Sequence, residues 1–139
     1  MAKVIQATLR QEGPSTSRGR VRGHEVLVDR PEAKEGADRG AMGGELLLVA
    51  LGGCFMSNLL AAIRAREAEI SDVRVAVAAE LEGTPERMTR FTITVDARHD
   101  DEALLRKLAT IAERGCLVSN TLAAGAAVEV VLGPVPAAA

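Results

Sequence analysis

At 139 residues, 47% of them hydrophobic, the chain has the size of one ordinary domain spanning 1–139 and enough apolar side chains to bury a core. Its net charge of −2 excludes the basic footprint that nucleic acid or an anionic membrane surface requires. Trp and Tyr are absent and Phe55 and Phe91 are the only aromatic residues, which weighs against base-stacking platforms and the ring-lined pockets that hold flavin or haem.

The N-terminal stretch MAKVIQATLRQ lacks the charged region, apolar stretch and small-residue cleavage site of a secretory signal, so a cytoplasmic location is expected. In that reducing compartment a lasting structural disulfide is not expected, and cysteines that meet there point to catalysis or redox sensing. Lys3 to Leu9 and His24 to Asp29 are candidate strands separated by the loop RQEGPSTSRGRVRG, and together they predict an N-terminal antiparallel pair. After Pro31 a charged, glycine-bearing loop leads into a central helix from about Gly44 to Glu69. Within it Leu46 to Ile63 carries no charge and touches the lower limit of about 18 residues for a membrane span. Gly52, Gly53, Ser57 and Asn58 inside the run, Glu45 and Arg64 at its ends, and the lack of a second apolar span favour a buried central helix instead. The Gly52-Gly53 step costs about 1 kcal/mol of helix propensity per glycine relative to alanine, which predicts close packing of another backbone there.

Beyond Asp72 the period changes to two. Val73, Val75, Val77, Ala79 and Leu81 share one strand face, and Phe91, Ile93, Val95 and Ala97 repeat the pattern after the turn EGTPERMTR, predicting a hairpin with one buried face. Asp100 or Asp101 then caps a helix that carries Leu104, Leu105, Leu108, Ile111 and Ala112 on one side and ends at Gly115. A short helix over Leu117 to Ala124, a last strand over Ala127 to Leu132 and a frayed tail over 134–139 complete the chain. The order β-β-α-β-β-α-α-β is α+β, with the long helix lying against antiparallel sheet.

Two cysteines stand in distinctive settings. Cys54 lies in the middle of the apolar segment GGELLLVALGGCFMSNLLAAI, and Cys116 opens CLVSNTLAAG. Neither their spacing nor their flanks form a metal knuckle or a C-x-x-C motif, so any meeting is the work of the tertiary fold. On residue type alone, Cys54 reads as a small core residue, Arg18, Arg20 and Arg22 as a solvated cluster, and Glu45 as a favourable charge at a helix N-terminus. His24 and His99 have no metal-ligand spacing with the cysteines, so no metal is expected.

The run Gly43-Gly44-Glu45-Leu46-Leu47-Leu48-Val49-Ala50-Leu51-Gly52-Gly53-Cys54 resembles the ELLL-x-AL-GGC signature of the OsmC/Ohr superfamily, the osmotically inducible and organic-hydroperoxide-resistance proteins. Cys116-Leu117-Val118-Ser119-Asn120-Thr121-Leu122 is similar to the second family motif, C-P-V-S-x-T-L, and Gly23 to Asp29 resembles the strand before the central helix. The resemblance implies an OsmC-like α+β fold, an intertwined homodimer, and a thiol peroxidase that reduces organic hydroperoxides with no metal or bound cofactor. It implies that Cys54 attacks the peroxide and becomes a sulfenic acid, that Cys116 condenses with it to a disulfide, and that a dithiol or small thiol resets the pair. Family peroxidases also use an arginine and a glutamate to organise the reactive thiol; here Arg18 is preferred over Arg20 and Arg22, and Glu45 is the carboxylate. The hydroperoxide-resistance branch carries Pro-Glu where this chain has Gly43-Gly44, so Glu45 sits one residue closer to the cysteine, as in the broader OsmC-like branch. That departure keeps a second reading open: a non-enzymatic redox sensor or binding module with little turnover. On one continuous helix Glu45 and Cys54 would be about 13.5 Å apart along the axis and on opposite faces, so a catalytic Glu45 would serve the partner's thiol.

Overall fold

The computed structural model describes residues 2–137, which form three strands, a long helix, a two-stranded hairpin and two further helices, an α+β architecture as expected. They gather into two compact units, one of residues up to Leu46 together with those from Val128, the other Leu47–Ala127.

The first unit holds an antiparallel sheet in the order β1 (Thr8–Gln11), β2 (Ser17–Val21), β3 (His24–Val28). The strand β2 lies inside the stretch expected to be a loop. Its inward residue is Gly19, packed against Leu9 and Val26, so no apolar alternation marks it, although Arg10 pairs with Arg18 and Arg20 with Glu25 in unbroken register. β1 starts at Thr8, later than expected, and leaves Val4 and Ile5 exposed. Asp29, which follows β3, is buried and gathers donors: Thr16 Oγ1 at 2.7 Å, Arg30 N at 2.7 Å and Arg39 N at 3.1 Å. Burial alone would raise its pKa, but these bonds, with one from Ser15, hold the carboxyl well below the usual carboxylate range. Asp29 thereby ties the loop over 30–39 to the sheet.

The expected last strand, Ala127 to Leu132, does not form: it pairs with no described strand, and Val128, Val130 and Leu132 stand 91%, 89% and 100% exposed. The period-two pattern records what the segment could bury, whereas a strand also needs an edge to pair with. Of the expected frayed tail, Ala138 and Ala139 lie outside the described residues.

In the second unit the helix α1 (Gly43–Ala65), whose first turn belongs to the other unit, buries Leu51, Phe55, Leu59, Ala62 and Ile63. Their partners are the inward residues of the hairpin β4 (Ile70–Glu82) and β5 (Arg87–His99), where Val75 faces Val95, Val77 faces Ile93 and Ala79 faces Phe91. The helix ends four residues earlier than expected because Glu67 turns left-handed at φ 47°, with Ala68 N donating to Ile63 O. His99 closes β5 opposite Ile70. The Gly-Gly step does mark a close approach, but to side chains: a Cβ on Gly52 would stand 2.9 Å from Val77 Cγ2, while one on Gly53 would meet nothing within 4 Å. Helix α2 (Glu102–Arg114) is capped by Asp101, whose carboxylate accepts from Leu104 N at 3.1 Å, and buries Leu105, Leu108 and Ala112. Leu59 and Leu108 are fully buried, each worth about 1.5–3 kcal/mol of transfer free energy. Helix α3 (Leu117–Ala124) begins directly after Cys116.

Candidate active site

Cys54 projects from the middle of α1 and is part-buried; Cys116, at the corner between α2 and α3, is fully buried; neither is in a disulfide. The fold brings them within hydrogen-bonding reach of each other. Cys116 is the N-cap of α3, with extended backbone and a sulfur that accepts from Ser119 N at 3.5 Å. The first N–H groups of a helix have no partner within it, and those of α3 face the other sulfur. The Val118 N–H is the chief influence holding the Cys54 thiol below its ordinary value, helped by the Cys116 thiol and the Leu117 N–H and opposed by burial. Burial dominates at Cys116 and pushes its thiol up, and the neighbouring Cys54 sulfur adds to the rise. One corner of the fold thus favours the thiolate at Cys54 and disfavours it at Cys116.

The other two expected site residues lie in the first unit and have local partners. Arg18, on β2, holds Glu12 with two nitrogens, the longer bond at 3.0 Å, and reaches Glu25 at 3.7 Å. Arg20 pairs with Glu25 on the same sheet face, and Arg22 sits in the β2–β3 turn at φ 56°. The Glu45 carboxylate accepts from Met42 N at 2.8 Å, closing back on the residue before the helix as the acid of a capping box does.

Sequence reasoning sought a side-chain cation for the thiolate and missed the backbone donors of Leu117 and Val118. The signal was present, since a helix expected to start at Leu117 places unpaired N–H groups next to the second cysteine. A groove of about 610 Å³ opens between α1, β5, α2 and α3, lined by the apolar Leu51, Phe55, Phe91, Ile93 and Leu122 and by the charged Arg106, with neither cysteine in its lining. Among the described residues no three His, Cys, Asp or Glu side chains gather as metal ligands.

A family model described as OsmC-like protein matches residues 36–131, a span that contains Glu45 and both cysteines but not Arg18. Among solved structures the chain is similar to an OsmC-like protein from Mycoplasma pneumoniae (TM-score 0.76, 16% identity, 88% of this chain and 89% of that one covered). It is also similar to an organic hydroperoxide resistance protein from Elizabethkingia anophelis (TM-score 0.66, 19% identity, 87% and 89% covered). A third is the organic hydroperoxide resistance protein OhrB of Bacillus subtilis (TM-score 0.62, 17% identity, 86% and 90% covered). At these identities the likeness is one of fold. No curated protein matches the sequence.

Proposed function

The chain belongs to the OsmC-like protein family, and on that premise we propose that it is a soluble, cytoplasmic, homodimeric thiol peroxidase that reduces organic hydroperoxides without a metal or bound cofactor. The observation that carries this reading is the unequal thiol pair: Cys54 part-buried beside the N–H groups of α3, Cys116 buried and protonated within reach of it. The Cys54 thiolate attacks the outer oxygen of the hydroperoxide, the O–O bond breaks, and the alkoxide leaves as an alcohol after taking a proton. Cys54 is left as a sulfenic acid. The Cys116 sulfur attacks it, water departs and the disulfide forms, and a dithiol then returns two electrons and two protons by exchange. The apolar side chains of the groove between α1, β5, α2 and α3 support an alkyl substrate. Homodimer formation is supported by apolar side chains that this chain leaves uncovered, Val4, Ile5, Val128, Val130 and Leu132 among them.

A second reading, a redox sensor without efficient turnover, is favoured by the engagement of Arg18 with Glu12 and of Glu45 with Met42 N. Anaerobically reduced protein mixed with cumene hydroperoxide, tert-butyl hydroperoxide or hydrogen peroxide separates the two. Continuous consumption of the organic peroxides with a dithiol present is the expected result, and a single stoichiometric oxidation would assign the sensor.

A further inference from the structure

The last four carbonyls of a helix need partners from outside it, and at the end of α2 two of them are met by side chains from other helices. Ile111 O accepts from Gly115 N at 3.2 Å and Glu113 O from Cys116 N at 3.1 Å. Ala112 O accepts instead from Asn58 Nδ2 of α1 at 3.2 Å, and Arg114 O from Asn120 Nδ2 of α3 at 3.2 Å. Asn58 follows Cys54 by four residues and so lies one turn away on the same face of α1. One face of α1 therefore addresses the α2–α3 corner twice, Asn58 on its α2 side and Cys54 on its α3 side. The corner is drawn in tightly, since a Cβ on Gly115 would stand 3.4 Å from Asn58 Nδ2.

We propose that Asn58 and Asn120 are positioning residues that brace the α2–α3 corner, so that the first backbone N–H groups of α3 stay aimed at the Cys54 sulfur. An N–H donor loses its hold on a sulfur steeply with misalignment, and the Asn58 bond to the Ala112 carbonyl fixes the end of α2 to α1 next to this two-residue corner. The influences on Cys54 are the Val118 and Leu117 N–H groups and the Cys116 thiol, with burial opposing them, so a drift of this corner removes the favourable ones together.

The inference rests on Cys54 being the attacking thiol, but its test needs no peroxide. Reduced full-length protein is alkylated with iodoacetamide across a pH series, and labelling of Cys54 and Cys116 is resolved by peptide mass spectrometry. In Asn58→Leu, which keeps the volume and removes the donor, the Cys54 midpoint is expected to rise by about one pH unit, roughly a tenfold loss of thiolate below both midpoints. Asn120→Ala, at an exposed position, shifts it less in the same direction, and Asn58→Gln, which keeps an amide donor, restores most of the difference. Folded Asn58→Leu and Asn120→Ala proteins with wild-type Cys54 midpoints would overturn the brace, as would an Asn58→Gln protein as shifted as Asn58→Leu. Should Asn58→Leu fail to fold, Asn120→Ala decides alone: a raised midpoint supports the brace and an unmoved one rejects it. A protein inert towards hydroperoxides with shifted midpoints would reject the peroxidase and keep the brace; an active one with unmoved midpoints would do the reverse.

Discussion

Of the two thiols, the one left part-exposed is also the one whose thiolate is stabilised, and the buried one is held protonated. Cys54→Ser is therefore expected to abolish peroxide consumption, whereas Cys116→Ser reacts once and then stalls or over-oxidises, with sulfinic acid on Cys54 by mass spectrometry. Oxidation accumulating on Cys116 while Cys54 stays reduced would reverse the assignment. The pH profile has a definite sign. Because the Cys54 thiol is held below the ordinary cysteine value of about 8.5, its rate of sulfenic acid formation should climb with pH and level off at a lower pH than that of an unperturbed cysteine. In stopped-flow oxidation of Cys116→Ser, a rate still rising well above it would contradict the geometry. Both cysteines were legible from their neighbours in sequence, and so was the start of α3. The donors to Cys54 were not, because every residue carries an N–H and only the tertiary fold decides which of them meets the sulfur. Arg18 was legible as a candidate, but its bond to Glu12 was not, since that partner sits across a β1–β2 pairing hidden by Gly19.

The hairpin over 70–99, with α2 and α3, could be read directly because period-two and period-3.6 patterns there are sustained and bounded by caps. β2 escaped because its inward position is glycine, and the C-terminal segment was overcalled because its pattern matches a strand that this chain does not pair. The Gly-Gly step in α1 now divides into two different positions. Gly52→Ala should lower stability by up to about 2 kcal/mol, an overpacking cost of about 1–3 kcal/mol against Val77 reduced by roughly 1 kcal/mol of recovered helix propensity. Gly53→Ala, which meets nothing in its own chain, should gain up to about 1 kcal/mol, so urea midpoints of the two variants move in opposite directions. The Asp29 lock has a pH signature of its own. With its folded-state pKa depressed, its contribution is present above the unfolded value of about 4 and is lost as pH falls below it. Asp29→Asn should flatten the acid limb of the urea midpoint curve; an unchanged limb would show that other carboxylates set it.

At the scale of the whole molecule, α1 runs unbroken through Glu45 and Cys54, which helix geometry puts on opposite faces about 13.5 Å apart along the axis. If Glu45 is catalytic, it is expected to act on the thiol of a second copy, aided by an arginine of the Arg18 to Arg22 stretch. Mixed heterodimers of Glu45→Gln and Cys54→Ser chains contain one interface with an intact Glu45 and an intact Cys54, and they are expected to recover part of the activity. No rescue in verified heterodimers, or full activity in an obligate monomer, would leave Glu45 as the helix cap it forms with Met42. In the proposed homodimer a second chain would cover the apolar positions of the N- and C-terminal segments, which were easy to find in sequence yet stand uncovered here.

The complete burial of Cys116 has a further consequence, for the pace of the cycle. In the proposed cycle, an incoming reductant meets Cys54 of the disulfide first and must expel Cys116, the sulfur that holds its proton more tightly and so departs more slowly. The arrangement that would quicken oxidation would therefore retard recovery. Throughput should follow the supply of a slender, strongly nucleophilic dithiol, while the dose of peroxide ceases to matter early, much as a spring that releases at a touch still has to be wound by hand.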